Sequence, residues 1–350
     1  MQTRTMFNQI EINSFRGISH AFVKDFGQIN LFFGKNNCGK SSLLEAIFLI
    51  SGISNPSLAF NINFVREYDK TRLGDLSFVF HDLKTDRPIV IQTKGREERK
   101  LDISFFESEE STIKLDSKTP NMLSNIKKSN YGLKFSAKVD NRSFNSQITL
   151  DDNNPRNLIN KLPGDYTEPI KSIYLPPKYA FATSIEGLNK IIQNKDEQFI
   201  VDGLKLLEHR VSDFVFADGE ILVDVGLCRR IPVNMLGDGA RKIVSLLTAV
   251  YHCKNGVLLI DEISNGFHHS VMCSLWKILI DAATKNNTQI FATTHDADSI
   301  KGLRDAALGS EHQDKIASFK LLKTQDDHLE ALHYSLESID YSFNQAIEIR

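Results

Sequence analysis

Three clusters of residues have the types and spacing that phosphate chemistry requires. The first is Gly34-Lys35-Asn36-Asn37-Cys38-Gly39-Lys40-Ser41, a G-x-x-x-x-G-K-[ST] phosphate-binding loop that runs on into Ser42. Gly34 and Gly39 allow backbone angles and a close approach that a Cβ would block, so successive N–H groups of the loop, those of Asn36, Asn37 and Cys38 among them, can face phosphate oxygens. Lys40 supplies a point charge for the β- and γ-phosphates, and the Ser41 hydroxyl is placed to ligate Mg²⁺. The second cluster, Asp261-Glu262, closes the apolar run Gly256-Val257-Leu258-Leu259-Ile260. Asp261 would hold the water shell of the Mg²⁺, and Glu262 would orient and deprotonate an attacking water. Surface acids capping a strand are the alternative. The third is His295, at the end of Thr288-Gln289-Ile290-Phe291-Ala292-Thr293-Thr294. It could contact a γ-phosphate, or be a structural or solvated histidine.

These residues need strands to carry them to one edge and helices to back them. Ile29-Asn30-Leu31-Phe32-Phe33 reads as the strand before the loop, and Ser42 to Ile50 as the helix after it, whose amino end adds partial positive charge. The runs ending at Asp261 and His295 read as buried parallel strands, the first beside the phosphate loop; ligands of α/β sheets collect at the carboxyl ends of such strands. Residues 8 to 33 read as two strands joined by a turn, with Ile10, Ile12 and Phe15 before Arg16-Gly17. A helix is expected near Asp75 to Asp82. From Pro88 to Leu150, short alternating runs separated by polar turns predict an antiparallel lobe of hairpins. Asp151 to Thr167 reads as loop, and Ile170 to Leu175 as a strand stopped by Pro176-Pro177. Two helices are expected over Ile185 to Phe216, a hairpin over 220 to 234, and a strand at Ser318 to Lys323. The expected organisation is therefore residues 1–84 for the first strands and phosphate loop, 85–170 for the hairpin lobe, 171–255 for a helical lobe, and 256–350 for the second and third clusters and the C-terminal segment.

At 350 residues, with 41% hydrophobic and 25% charged residues, the composition is that of an ordinary globular chain. A formal net charge of −2 advertises neither nucleic acid nor membrane. Cys38, Cys228, Cys253 and Cys273 form no C-x-x-C pair, which argues against a zinc site or disulfide framework and for a reducing compartment. Met1 to Gln9 lacks a signal-peptide core, and no run approaches the ~20 apolar residues of a membrane span, so a cytoplasmic protein is expected.

The order of motifs carries a resemblance. A phosphate loop, a long insertion, Met235-Leu236-Gly237-Asp238-Gly239-Ala240-Arg241 opening a helix, Leu259-Ile260-Asp261-Glu262, then Thr294-His295 resembles an ABC-type ATPase. More narrowly it is similar to the soluble, membrane-free branch that contains RecF, the SMC proteins and the overcoming-lysogenization-defect (OLD) ATPases. These are often described simply as AAA-family ATPases and are frequent in bacterial antiphage systems. The resemblance spans the chain, from Ile12-Asn13-Ser14-Phe15-Arg16-Gly17 to Ala346-Ile347-Glu348-Ile349-Arg350. It implies an α/β P-loop NTPase fold, an ABC-ATPase head with an antiparallel β-hairpin lobe and an inserted helical lobe. Asp261 lies 220 positions after Ser41, which leaves room for both lobes.

The resemblance also implies roles. Leu236-Gly237-Asp238-Gly239-Ala240 stands where the family's L-S-G-G-Q signature lies, so Gly237, Asp238, Gly239 and Arg241 are expected at the γ-phosphate held by a second subunit. Asp238 departs from the pattern, and reads equally as the helix N-cap, with Arg241 then supplying the positive charge. Arg16 is expected near the nucleotide, a turn arginine in solvent being the alternative. In Asn265-Gly266-Phe267-His268-His269, His268 takes the place of the family's dimer-contacting aspartate. Helix capping comes second, and metal binding last, because adjacent histidines chelate one ion poorly. Pro176-Pro177-Lys178 occupies the place of the family's Mg²⁺-sensing Gln.

ATP and Mg²⁺ are thus the expected ligands, ATP by default since no guanine-reading motif can be placed. The implied mechanism is a homodimer, or a higher homo-oligomer, closing around nucleotide. About 55 residues follow His295, too few for the TOPRIM nuclease of OLD-like proteins, so a separate effector, a TOPRIM- or HNH-type nuclease, is the expected partner in antiphage defence. RecF-like DNA binding is the main alternative, with Lys94, Arg96, Arg99 and Lys100 as its basic cluster, although Glu97 and Glu98 interrupt that cluster and a solvated hairpin loop is the preferred reading of it; energising a membrane transporter is the third.

Overall fold

The computed structural model of the chain describes residues 5–66, 76–115, 123–151, 154–177, 184–345 and 347. Its central layer is half of a large sheet in which β9 (Ser172–Leu175), β13 (Val257–Ile260), β14 (Gln289–Thr294), β3 (Ile29–Phe33) and β15 (Ile316–Lys323) lie side by side, all parallel. Every residue of β3, β13 and β14 is buried, which is why they read as unbroken apolar runs rather than alternating ones. Successive side chains serve opposite faces. Leu31, Leu258, Ile260 and Ile290 join one core with α5 (Asp238–His252), α6 (Met272–Asn286) and α7 (Ala297–Ala307). Phe32, Leu259, Phe291 and Phe319 join the other with α1 (Lys40–Ser51). There Phe26 meets Phe32, Phe291 and Phe319 edge-on at centroid distances of 5.1 to 6.0 Å, a geometry that aromatic quadrupoles favour.

β16 (His328–Tyr334) joins this half to an antiparallel half. It runs parallel to β2 (Ile18–Lys24), which pairs with β1 (Phe7–Phe15). Beyond them lie β4 (Ile89–Gly95), the long β5 (Arg99–Leu115) and β6 (Leu123–Val139), then β7 (Arg142–Asp151) and β8 (Asn154–Lys161), the far edge of a sheet that has 13 strands among the described residues. The expected hairpins over Pro88 to Leu150 are present as β4 to β7. On the other flank, α3 (Ile185–Gln193) and α4 (Glu197–Lys205) lie on α5. Close by is a separate sheet of β10 (Asp213–Ala217), β11 (Glu220–Asp224) and β12 (Ile231–Pro232).

Several local expectations change. Residues 8 to 33 form three strands rather than two. Asp75 lies outside the described residues. The segment after it makes two short 3₁₀ turns, Leu76–Val79 and His81–Leu83, because Asp82 and Leu83 take positive φ and stop a helix. Residues 154–161, read as loop, pair with β7. Phe214 to Phe216, read as helix, belong to β10, which turns into β11 through Asp218-Gly219, both left-handed. That Asp-Gly pair is a hairpin signal which the helical spacing upstream obscured. The strand carrying Asp261 is not beside the phosphate-loop strand either: β14 lies between them, so His295 sits between the loop and the two acids. The C-terminal segment adds β16 and α8 (Leu336–Asn344) to the expected strand.

Candidate functional site

β3 ends at Phe33, and the chain bends at once through Gly34 (φ 151°), Asn37 (φ 62°) and Gly39 (φ 99°) into α1. At Gly34 a Cβ would stand 2.6 Å from the Leu321 carbonyl oxygen on β15, so glycine is required by space as well as by φ. Lys40 is 6% exposed, and its ammonium donates to the carbonyls of Gly34 and Lys35, both at 3.0 Å. Asn36 and Asn37 are exposed, Ser41 is half-buried and Ser42 buried. Cys38 is buried beneath the loop, and that burial pushes its thiol pKa up.

Facing the loop are the carboxyl ends of β13 and β14. Asp261, 4% exposed, accepts from Thr293 Oγ1 at 2.5 Å on one oxygen and from the Tyr174 hydroxyl at 3.1 Å on the other. Burial, and next the neighbouring Asp261, hold the Tyr174 pKa well above its usual value, so Tyr174 stays a donor. Glu262 follows with φ 52°, a left-handed conformation that costs a non-glycine residue about 1 kcal/mol. Its N–H donates to Thr293 Oγ1 at 2.9 Å. The turn aims its carboxylate across β14: one oxygen is 2.7 Å from His295 Nδ1, and the other 4.0 Å from Lys40 Nζ. Three residues chosen from separate stretches of sequence, Lys40, Glu262 and His295, therefore meet.

Arg16 is not a solvated turn residue. Its side chain is largely buried beside the loop, 2.6 Å from the Glu45 carboxylate of α1, and it donates to Asn63 at 2.9 Å. Arg66, just past α2 (Ser57–Val65), grips Glu45 from the other side at 2.7 and 3.0 Å and donates to Ser42 Oγ at 3.3 Å. With Asn37, Gly39 and Asp327 these two arginines line an open cavity of about 380 Å³ next to the loop. Sequence reasoning misses Glu45 and Arg66; the signal it offers is a lone acid inside the apolar run Leu43-Leu44-Glu45-Ala46-Ile47.

The signature-like segment lies on the opposite side of the loop after Glu262. Gly237 (φ 95°) is the N-cap of α5, and Asp238 is its first helical residue, 3.7 Å from Arg241. Asp238 is thus not the N-cap: Gly237 takes that place because the required positive φ suits glycine, while an acid at the first position still complements the helix dipole. At Gly239 a Cβ would stand 3.2 Å from the Gly266 carbonyl oxygen, so the helix lies against the Asn265-Gly266-Phe267 turn. One turn on, Lys242 is 2% exposed and donates to three carbonyls, those of Glu262, Ile263 and Asn265, at 3.1, 2.9 and 2.7 Å. Burial lowers its pKa to about 8, with Glu262 and Asp261 acting the other way. His268 accepts from the Ser270 N–H at 3.4 Å and so caps the short turn that follows.

Three members of the basic cluster of the hairpin lobe face carboxylates. Arg99 is buried between Glu97 and Glu168, at 2.8 and 2.9 Å, Lys94 faces Glu98 at 3.7 Å, and Lys100 faces Asp102 at 3.3 Å. Pro176 and Pro177 follow β9, whereas Lys178 lies outside the described residues. No helix among the described residues is long and apolar enough to cross a membrane.

A hydroxyl at Ser41 and a buried carboxylate at Asp261, both hard oxygen donors, fit Mg²⁺, and a left-handed loop rich in N–H groups at a helix amino end fits a triphosphate. A parallel sheet with this loop after β3 and paired acids two strands away defines a P-loop NTPase, here with lobes inserted between the loop and the acids. More specifically, the chain belongs to the family described as "AAA domain, putative AbiEii toxin, Type IV TA system", which matches residues 29–300. Over 97% of its length it is 27% identical to a Helicobacter pylori protein named "ATP/GTP phosphatase", covering 98% of that protein. A shorter match, 50% identical over 44 residues, covers 13% of this chain and 20% of an uncharacterised protein of Methanocaldococcus jannaschii. Among solved structures, an Smc head domain with an extended coiled coil, bound to the C-terminal domain of ScpA and derived from Pyrococcus furiosus, superposes with a TM-score of 0.50 at 9% identity, covering 97% of this chain and 99% of that one. That likeness concerns fold alone.

Proposed function

We propose that this chain hydrolyses ATP, and GTP as a second substrate, closing as a homodimer around the nucleotide and regulating a separately encoded nuclease-like effector in antiphage defence. The observation that carries the hydrolytic reading is the convergence of Lys40, Glu262 and His295 at one sheet edge. Lys40 exchanges its two loop carbonyls for β- and γ-phosphate oxygens. His295 engages one Glu262 oxygen, which leaves Oε1, on the Lys40 side, to take the proton of water. The water oxygen then bonds to the γ-phosphorus as the bond to the β–γ bridging oxygen breaks, yielding nucleoside diphosphate and phosphate. Mg²⁺, held by Ser41 and Asp261, would offset charge on the phosphates.

Dimer closure rests on the open amino end of α5: among the described residues, none beyond its chain neighbours comes within 4 Å of a Cβ built at Gly237, so a phosphate from outside the subunit can approach it. The phosphatase name of the H. pylori relative supports the substrate class, and the toxin–antitoxin wording of the family supports a conflict-system role. In the test, Glu262→Gln should bind ATP like wild type, lose about 10²–10⁴-fold in kcat, and elute as a dimer with ATP and Mg²⁺. A monomeric elution with unimpaired phosphate release would sink the reading.

A further inference from the structure

We propose that Lys242 is the positioning residue for Glu262, tying the base of the site to the helix whose amino end lies outside it. The inference rests on the hydrolytic reading above. An ammonium has three N–H donors, and Lys242 spends all three on carbonyls of a single loop, those of Glu262, Ile263 and Asn265. The first belongs to the one residue of that loop whose side chain must be aimed. Glu262 reaches both Lys40 and His295 from a left-handed backbone, and left-handed backbone persists at a non-glycine residue only where its surroundings hold it. Lys242 binds the carbonyl side of that residue, while Thr293 Oγ1 takes its N–H. The lysine also lies over the Phe267 ring, 5.1 Å from its centroid, so the loop from Glu262 to Phe267 folds around one buried cation.

The helix that carries Lys242 adds a second consequence. Gly239, one turn earlier, is close enough to Gly266 that no Cβ fits without displacement. The first two turns of α5 and the Glu262–Phe267 loop therefore move as one body. A shift of the amino end of α5, where Gly237 is open, reaches the Glu262 backbone through Lys242.

The test compares Lys242→Met, which removes all donors at similar length, with Lys242→Gln, which keeps two. Single-turnover ATP hydrolysis and fluorescent-nucleotide binding are measured on the full chain. Lys242→Met should keep nucleotide affinity within about threefold while the hydrolysis rate falls at least 30-fold, and Lys242→Gln should recover part of that rate. In a Glu262→Gln background, Lys242→Met should cause no further loss, because its effect passes through Glu262. Losses that multiply in the double variant, or a Lys242→Met rate within threefold of wild type, would overturn the positioning role. If Lys242→Met does not fold, Lys242→Gln decides: an unchanged affinity with a fivefold slower rate supports the role, and a rate within twofold overturns it. A wild-type chain that turns over neither ATP nor GTP would instead overturn the hydrolytic reading itself.

Discussion

Lys40 is buried with its charge directed into the phosphate loop, held by two carbonyls 3.0 Å away and within 4.0 Å of Glu262. An ammonium in that position is already desolvated, so a phosphate that displaces the carbonyls gains a charge-assisted contact without a fresh cost of burial. Lys40→Ala should therefore weaken ATP binding by about 2–3 kcal/mol, roughly 100-fold, as read by calorimetric titration. Fold should be retained, because the Lys40 ammonium donates to carbonyls of its own loop. The residues that support the site are of a different kind. Tyr174 lies 87 positions from the Asp261 it donates to, Thr293 lies 32 away, and Arg66 lies 21 from Glu45. No spacing rule connects such pairs, which is why the reacting residues were legible in the sequence and the residues that aim them were not.

Among the elements, α5 joins the lobes. Its amino turn faces outward, its second turn holds the Glu262 loop, and its body carries α3 and α4. The contact with α3 is made backbone to backbone at Gly187, where a Cβ would stand 1.8 Å from the Thr248 carbonyl oxygen. Gly187→Ala should thus push the two helices apart and destabilise the chain by about 2–3 kcal/mol, visible as a lower Tm in calorimetry. A wild-type Tm would show that α3 shifts at no cost. Helices α3 and α4 were legible because their apolar residues recur at helical spacing. The strand β10 directly after them was not, since Phe214 and Phe216 extend the apolar series and only pairing with β11 decides their conformation.

At the scale of the whole molecule, the candidate site is asymmetric. The phosphate loop, Asp261, Glu262 and His295 gather at one edge, whereas Gly237 to Arg241 begin a helix on the far side of the Glu262 loop. A closed dimer would set that helix against the partner's nucleotide, making each site composite. Lys40→Ala and Arg241→Glu should each be inactive alone. Mixed in equal amounts they should recover activity, up to about a quarter of wild type, because half of the dimers would then hold one intact site. Phosphate release that stays at background in the mixture would argue for sites complete within one chain.

What the sequence determined by itself was local: a glycine-rich turn before a lysine, strands apolar throughout, carboxylates and a histidine at strand ends. Each depends on backbone geometry within a few residues, so a linear pattern can encode it. The tertiary structure alone decided the order of the strands, with β14 and its His295 placed between the loop and the acids. It also decided the burial of Arg16 against Glu45, and the reach of Lys242 from one lobe to the Glu262 carbonyl of another element. Those outcomes depend on which surfaces meet when two cores close on one sheet, and no single stretch of the chain contains both partners.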